Sequence, residues 1–76
     1  MFTIEHEFDA TVITLIDESN APLREDVIVQ AFAGQITFEQ WDARTDNVVK
    51  ITLSPAQLSD LTAALNLPEG IYRSNT

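Results

Sequence analysis

Residues 51–58 read Ile-Thr-Leu-Ser-Pro-Ala-Gln-Leu, and this stretch predicts a strand that passes directly into a capped helix. Ser54 is a favoured N-cap, Pro55 suits the first helical position, and Gln57 stands three residues after the cap, where it completes a capping box. A leucine stripe at helical spacing follows, at Leu58, Leu61 and Leu65. We therefore expect a helix from Pro55 to Asn66 that lays this stripe on one face of a sheet.

The segments before this join alternate apolar and polar residues, as strands with one buried face do. Strands are predicted over residues 27–32, 35–42 and 48–53. Residues 2–17 are predicted to form one long strand with a bulge or sharp bend near Asp9, because neither Gly nor Asn is present there for a two-residue hairpin turn. The predicted fold class is α+β, a four-stranded, mainly antiparallel sheet (β-β-β-β-α) with one C-terminal helix packed on one face.

The chain has 76 residues, which is enough for a single domain over residues 1–76 but few for a stable monomer. Its hydrophobic content of 45% predicts a folded core rather than disorder. The expected core members are Ile4, Val12, Ile16, Val29, Phe38, Ile51, Leu53, Leu58, Leu61 and Leu65. Because the sequence has no cysteine to form disulfides, self-association into a homodimer is the most available stabiliser.

Twelve acidic residues against four basic ones give the chain a net charge of −8, and residues 1–42 carry most of the acid. Such a surface repels nucleic-acid phosphates and anionic membranes, so direct binding to either is disfavoured. It would instead attract a basic protein. The first residues show no basic leader, and no apolar run is long enough to span a bilayer, which predicts a cytoplasmic protein.

No group of residues predicts catalysis, a cofactor or a metal centre. His6 is the one histidine, and its neighbours in a strand, Glu5 and Glu7, point to the opposite face. A conceivable Ca²⁺ or Mg²⁺ position is the acidic loop that holds Asp17, Glu18, Glu25 and Asp26, although its spacing fits no EF-hand and a solvated loop is the commoner outcome. We expect a protein that is not an enzyme.

Trp41 is the first candidate for an interaction residue, because the alternation places it on the polar side of its strand with Thr37 and Glu39. A partly exposed Trp is enriched at protein interfaces. The alternative is that Trp41 covers cross-strand neighbours such as Val48 or Lys50. The remaining candidates are the acidic residues of the N-terminal segment, Glu5, Glu7 and Asp9.

Residues 36–65, two strands followed by the capped helix, resemble the end of the positive cofactor 4 type of single-stranded-DNA-binding coactivators. The resemblance implies a dimer of four-strand-plus-helix subunits that binds single-stranded DNA. The basic and aromatic residues that these coactivators use on the sheet have no counterpart here, where the strands supply Glu39, Asp42 and only Lys50.

Three functions are therefore carried forward from the sequence. The first is a small acidic protein-interaction domain, a non-enzymatic homodimer. The second is an acidic decoy that binds a basic nucleic-acid-binding protein through its carboxylate-rich half. The third is a single-stranded-DNA binder of the positive cofactor 4 type, which the charge disfavours.

Overall fold

A computed structural model describes residues 1–73 and shows an antiparallel sheet followed by one helix. The elements are β1 (Phe2–His6), β2 (Thr11–Leu15), β3 (Val27–Ala31), β4 (Ile36–Asp42), β5 (Asn47–Leu53) and α1 (Pro55–Ala64). The strands pair in chain order, each antiparallel to the next. The α+β class, the antiparallel sheet and the C-terminal helix are thus confirmed, but the sheet has five strands and not four.

The extra strand comes from residues 2–17, where the prediction of one long bent strand is wrong. β1 and β2 form a hairpin in which Phe2 lies opposite Leu15 and His6 opposite Thr11. The Glu7 N–H donates to the Ala10 carbonyl at 2.8 Å and closes the loop over residues 7–10. Only the two-residue primed turns need the positive φ angles that Gly and Asn supply, so a longer loop forms without them.

The register places alternate residues on opposite faces of the sheet. We call one side the apolar face; its strand residues are Phe2, Ile4, His6, Thr11, Ile13, Leu15, Val27, Val29, Ala31, Ile36, Phe38, Gln40, Asp42, Asn47, Val49, Ile51 and Leu53. We call the other the mixed face; its strand residues are Thr3, Glu5, Val12, Thr14, Ile28, Gln30, Thr37, Glu39, Trp41, Val48, Lys50 and Thr52.

Few side chains are buried within the described residues. Val29 is buried at the centre of the apolar face, Ile36 is buried toward the end of that face where His6 lies, and Thr37 is buried on the mixed face. Half of the ten predicted core residues are half-buried, at Val12, Ile16, Phe38, Leu53 and Leu58. Ile4 and Ile51 lie on β1 and β5, the two edges of the sheet. Both side chains are exposed, because no element of the described chain covers these two side chains.

The helix begins as predicted. The Ser54 hydroxyl accepts the Gln57 N–H at 3.1 Å, and the Gln57 side-chain oxygen accepts the Ser54 N–H at 3.0 Å, which completes the capping box. α1 ends at Ala64, before Asn66, and its chief neighbour in the sheet is β5. The predicted packing of its stripe across a sheet face is not confirmed, because the other stripe leucines are exposed, Leu61 by 49% and Leu65 by 77%. Within residues 1–73 no helix is long and apolar enough to cross a membrane.

Candidate interaction surfaces

The apolar face carries most of the exposed large hydrophobic side chains of the strands. Its exposed large side chains are Phe2 and Ile4 on the edge strand β1, Leu15 on β2, and Val49 and Ile51 on the edge strand β5. Between β3 and β5 the face carries a shallow groove of about 180 Å³, lined by Val27, Phe38, Glu39, Gln40, Val49 and Ile51. The apolar face therefore presents exposed apolar side chains. It also presents a depression into which the apolar side chains of another surface fit.

Ionisable groups on the apolar face lie only at its two ends. His6 stands beside the loop of residues 7–10, where its Nδ1 lies 3.1 Å from the Thr11 hydroxyl. Asp42 lies at the opposite end, 3.4 Å from the Arg44 guanidinium. The other charged strand residues are all on the mixed face, at Glu5, Glu39 and Lys50. The centre of the apolar face thus carries no charge.

The mixed face carries a cleft beside Trp41. Trp41 lies opposite Val48, and its exposed fraction is 42%, so it both covers a cross-strand neighbour and reaches solvent. The cleft has a volume of about 500 Å³, and its lining adds to these two residues Leu23, Arg24, Glu25, Asp26, Ile28, Glu39 and Gln40. The lining therefore combines four large apolar side chains with three carboxylates and one guanidinium.

The loop between β2 and β3 forms one wall of this cleft and is held by its own hydrogen bonds. Asp17 accepts the Ser19 N–H at 2.9 Å, the Ser19 hydroxyl at 2.6 Å and the Arg24 N–H at 2.9 Å. The Ser19 hydroxyl, followed by the Arg24 and Ser19 N–H groups, lowers the pKa of Asp17 to about 2. At the other end of the loop, the Gln40 side-chain amide donates to the Glu25 carbonyl at 3.0 Å and ties the wall to β4.

The other predicted interaction residues lie away from Trp41. Glu5 shares the mixed face but sits on β1, near the end of the sheet opposite the cleft. Glu7 and Asp9 belong to the loop of residues 7–10, where Phe8 is fully exposed. In the structure, the cleft beside Trp41 is lined by Leu23, Ile28 and the loop carboxylates. The sequence analysis did not predict that these residues lie near Trp41. The signal available was Leu23, the one large apolar residue of residues 17–26.

The acidic loop shows no metal-binding arrangement. Among residues 1–73 no group of three or more His, Asp or Glu side chains is placed to hold an ion. Asp17 already accepts three hydrogen bonds from the chain itself. The one buried side-chain oxygen without a partner in the described residues is the Thr37 hydroxyl, which lies on the mixed face of β4.

Residues 3–64 match the family model described as Domain of unknown function (DUF8831). The match runs from the second residue of β1 to the last residue of α1, so the chain belongs to this family. No curated protein matches the chain, and no solved structure matches it either.

Proposed function

We propose that this chain is a non-enzymatic, cytoplasmic protein-interaction domain that works as a homodimer, with the apolar face as the surface of self-contact. The observation that carries the proposal is an open apolar face whose centre holds no charge. Large contiguous apolar surfaces on small proteins mark association sites.

The exposed area of the chain supports this proposal. The chain exposes 6508 Å², whereas a folded monomer of its mass, 8.5 kDa, exposes roughly 4,700 Å² by the usual scaling. The difference, roughly 1,800 Å² per chain, exceeds the roughly 800 Å² per partner of a standard interface, and twice this difference falls within the roughly 2,000–5,000 Å² that obligate homodimers bury in total. The radius of gyration of 14.7 Å, against roughly 11 Å for a compact domain of this length, points the same way.

The charge distribution favours a second copy of the chain as the partner that covers the apolar face. A twofold dimer brings a surface against itself, so any charge at its centre would meet a like charge. Among the strand residues of the apolar face, His6 and Asp42 are the ionisable ones, and both lie at its ends. Asp42 is thus the one of the twelve acidic residues that the strands place on this face, and the other eleven can stay in water when two such faces meet.

Sedimentation of the purified protein tests the proposal with a matched pair of variants. Ile4→Asp places a carboxylate on the apolar face, and Thr3→Asp places the same charge on the mixed face of the same strand. Both positions are exposed, so both variants can fold. We expect Ile4→Asp to sediment as a monomer and Thr3→Asp as a dimer, with a circular dichroism spectrum of each to verify folding. A wild-type monomer at every concentration would refute the homodimer, and equal behaviour of the two variants would refute the apolar face as its interface.

Single-stranded-DNA binding receives no support from the charges. The mixed face carries Glu5 and Glu39 against Lys50, whereas a strand-binding sheet needs clustered basic residues to neutralise phosphates. The five-stranded sheet also differs from the four-strand-plus-helix subunit that the resemblance implied.

A further inference from the structure

We propose that the cleft beside Trp41 binds a basic segment of a partner protein, with a Lys or Arg side chain laid over the indole. This proposal rests on the proposed function, because it supplies the chemistry of the partner that an interaction domain requires. The Trp41 cleft lies on the mixed face, so two dimerised apolar faces would leave it open.

The floor of the cleft suits the stem of a long basic side chain. Trp41, Val48 and Ile28 supply apolar surface, and Leu23 adds to it from the loop. Lys and Arg pack their methylene stems on such surface while the charged head stays near water. A cation within about 6 Å of an indole centre is also attracted by the ring, and Trp is the strongest aromatic partner for this contact.

The rim of the cleft supplies the opposite charge. Glu25 and Asp26 border it from the loop, and Glu39 borders it from β4. Among the described residues, ion pairs join Met1 to Glu18 and Arg44 to Asp42, and none involves a rim carboxylate. The bases nearest in the fold are Arg24, in the lining, and Lys50, the cross-strand partner of Glu39. Three carboxylates therefore outnumber these two bases around an apolar floor, a combination that favours a cation over an anion.

Hydrogen bonds within the chain already hold the loop that forms one wall of the cleft. Asp17 fixes the turn through Ser19 and Arg24, and Gln40 fixes the Glu25 backbone. A wall held in this way loses little conformational entropy when a ligand binds. In a twofold dimer there would be two such clefts, so a partner with two basic segments would gain from binding both at once.

Trp41 is the only tryptophan in the sequence, so its fluorescence reports on the cleft alone. The probe is an Arg-Gly repeat peptide, with a Ser-Gly repeat peptide of the same length as the neutral control. We expect the Arg-Gly peptide to change the Trp41 emission in a saturable way and the Ser-Gly peptide to leave it unchanged. A response to neither peptide, or an equal response to both, would overturn the proposal.

A pair of charge-matched variants separates a local site from general attraction by an acidic protein. Glu39→Gln removes a rim carboxylate, and Glu5→Gln removes the same charge from the far end of the same face. We expect Glu39→Gln to weaken the binding of the Arg-Gly peptide about fivefold, equivalent to about 1 kcal/mol, and Glu5→Gln to weaken it less than about twofold. Equal weakening by both variants would mean that binding follows net charge, which contradicts the proposal. Sedimentation of the same samples keeps the two proposals apart, because a monomer that binds the peptide refutes only the homodimer and a dimer that ignores it refutes only the cleft.

Discussion

The two faces of the sheet differ in what they leave exposed. The apolar face consists mainly of aliphatic and aromatic side chains, its ionisable strand residues lie only at its ends, and it exposes Phe2, Ile4 and Ile51. The mixed face exposes one large aromatic residue, Trp41, in a cleft that carboxylates border. The first surface suits a broad contact with an identical surface, and the second suits the capture of a single charged side chain. The two proposed interactions therefore use opposite faces of the same five strands.

The largest expected effect comes from placing a charge at the centre of each face in turn. Val29→Asp puts a carboxylate at a buried position of the apolar face, and Gln30→Asp puts one at the next residue of β3, half-buried on the mixed face. We expect Val29→Asp to lower the free energy of unfolding by at least about 3 kcal/mol, enough to unfold much of so small a domain. Gln30→Asp should cost about 1 kcal/mol, and urea denaturation compares the two. Similar costs would mean that the apolar face is not the core side of the sheet.

Substitutions at two leucines of α1 test whether anything covers the leucine stripe of the helix. Leu58 is half-buried, and Leu61 is 49% exposed. We expect Leu58→Ala to lower the free energy of unfolding by about 2 kcal/mol, because it removes a packed side chain, and Leu61→Ala to change it by about 0.5 kcal/mol or less. Thermal melts of both variants provide the measurement. A large cost at Leu61 would show that the helix packs against a second copy of the chain.

Dilution tests whether the apolar face is covered in solution. For a homodimer, each tenfold dilution lowers the apparent free energy of unfolding of the dimer by about 1.4 kcal/mol, because dissociation accompanies unfolding. We expect the Tm of the wild-type protein to fall by several degrees between high and low micromolar concentration, and that of Ile4→Asp to stay constant. A wild-type Tm that is independent of concentration would contradict a dimer that dissociates on unfolding.

The smallest effect concerns acid and the loop that borders the mixed face. The pKa of Asp17 is lowered to about 2 in the folded chain by its bonds to Ser19 and Arg24, so the folded state favours the ionised form. A depressed carboxyl pKa stabilises the fold at pH values above the unfolded pKa, near 4, and this contribution disappears as the pH falls through that value toward 2. We expect the Tm of the wild-type protein to decrease over this window and that of Asp17→Asn to decrease less. An equal decrease would place the acid sensitivity in other carboxylates.

Much of the local structure could be predicted because it depends on neighbouring residues. The capping box at Ser54 and Gln57 formed as expected, since its donors and acceptors lie within one turn of the chain. The alternation that predicted β4 and β5 also assigned Trp41 and Phe38 to opposite faces. The hairpin of β1 and β2 was missed because a loop over residues 7–10 needs no special residue, so it leaves little signal in the sequence.

The interaction surfaces could be predicted only in part. Trp41 was found because an aromatic residue on a polar face is conspicuous in an alternating strand. Its neighbours Leu23, Glu25 and Asp26 come from a loop that the pairing of β3 with β4 brings beside it, and no spacing rule relates them. Glu5, Glu7 and Asp9 were predicted as interaction residues because of their charge. The register of the sheet places them away from Trp41.

The sequence by itself determined the helix start, the strands β3, β4 and β5, and the division of β4 and β5 into two differing sides, because these follow from hydrogen bonding and side-chain alternation over a few residues. Only the tertiary structure decided the order of the strands, the exposure of Ile4, Ile51 and Leu61, and the assembly of the Trp41 cleft. Those features depend on which distant segments pack together. An apolar position in a sequence shows that a side chain favours burial, but not whether the rest of its own chain is large enough to cover it.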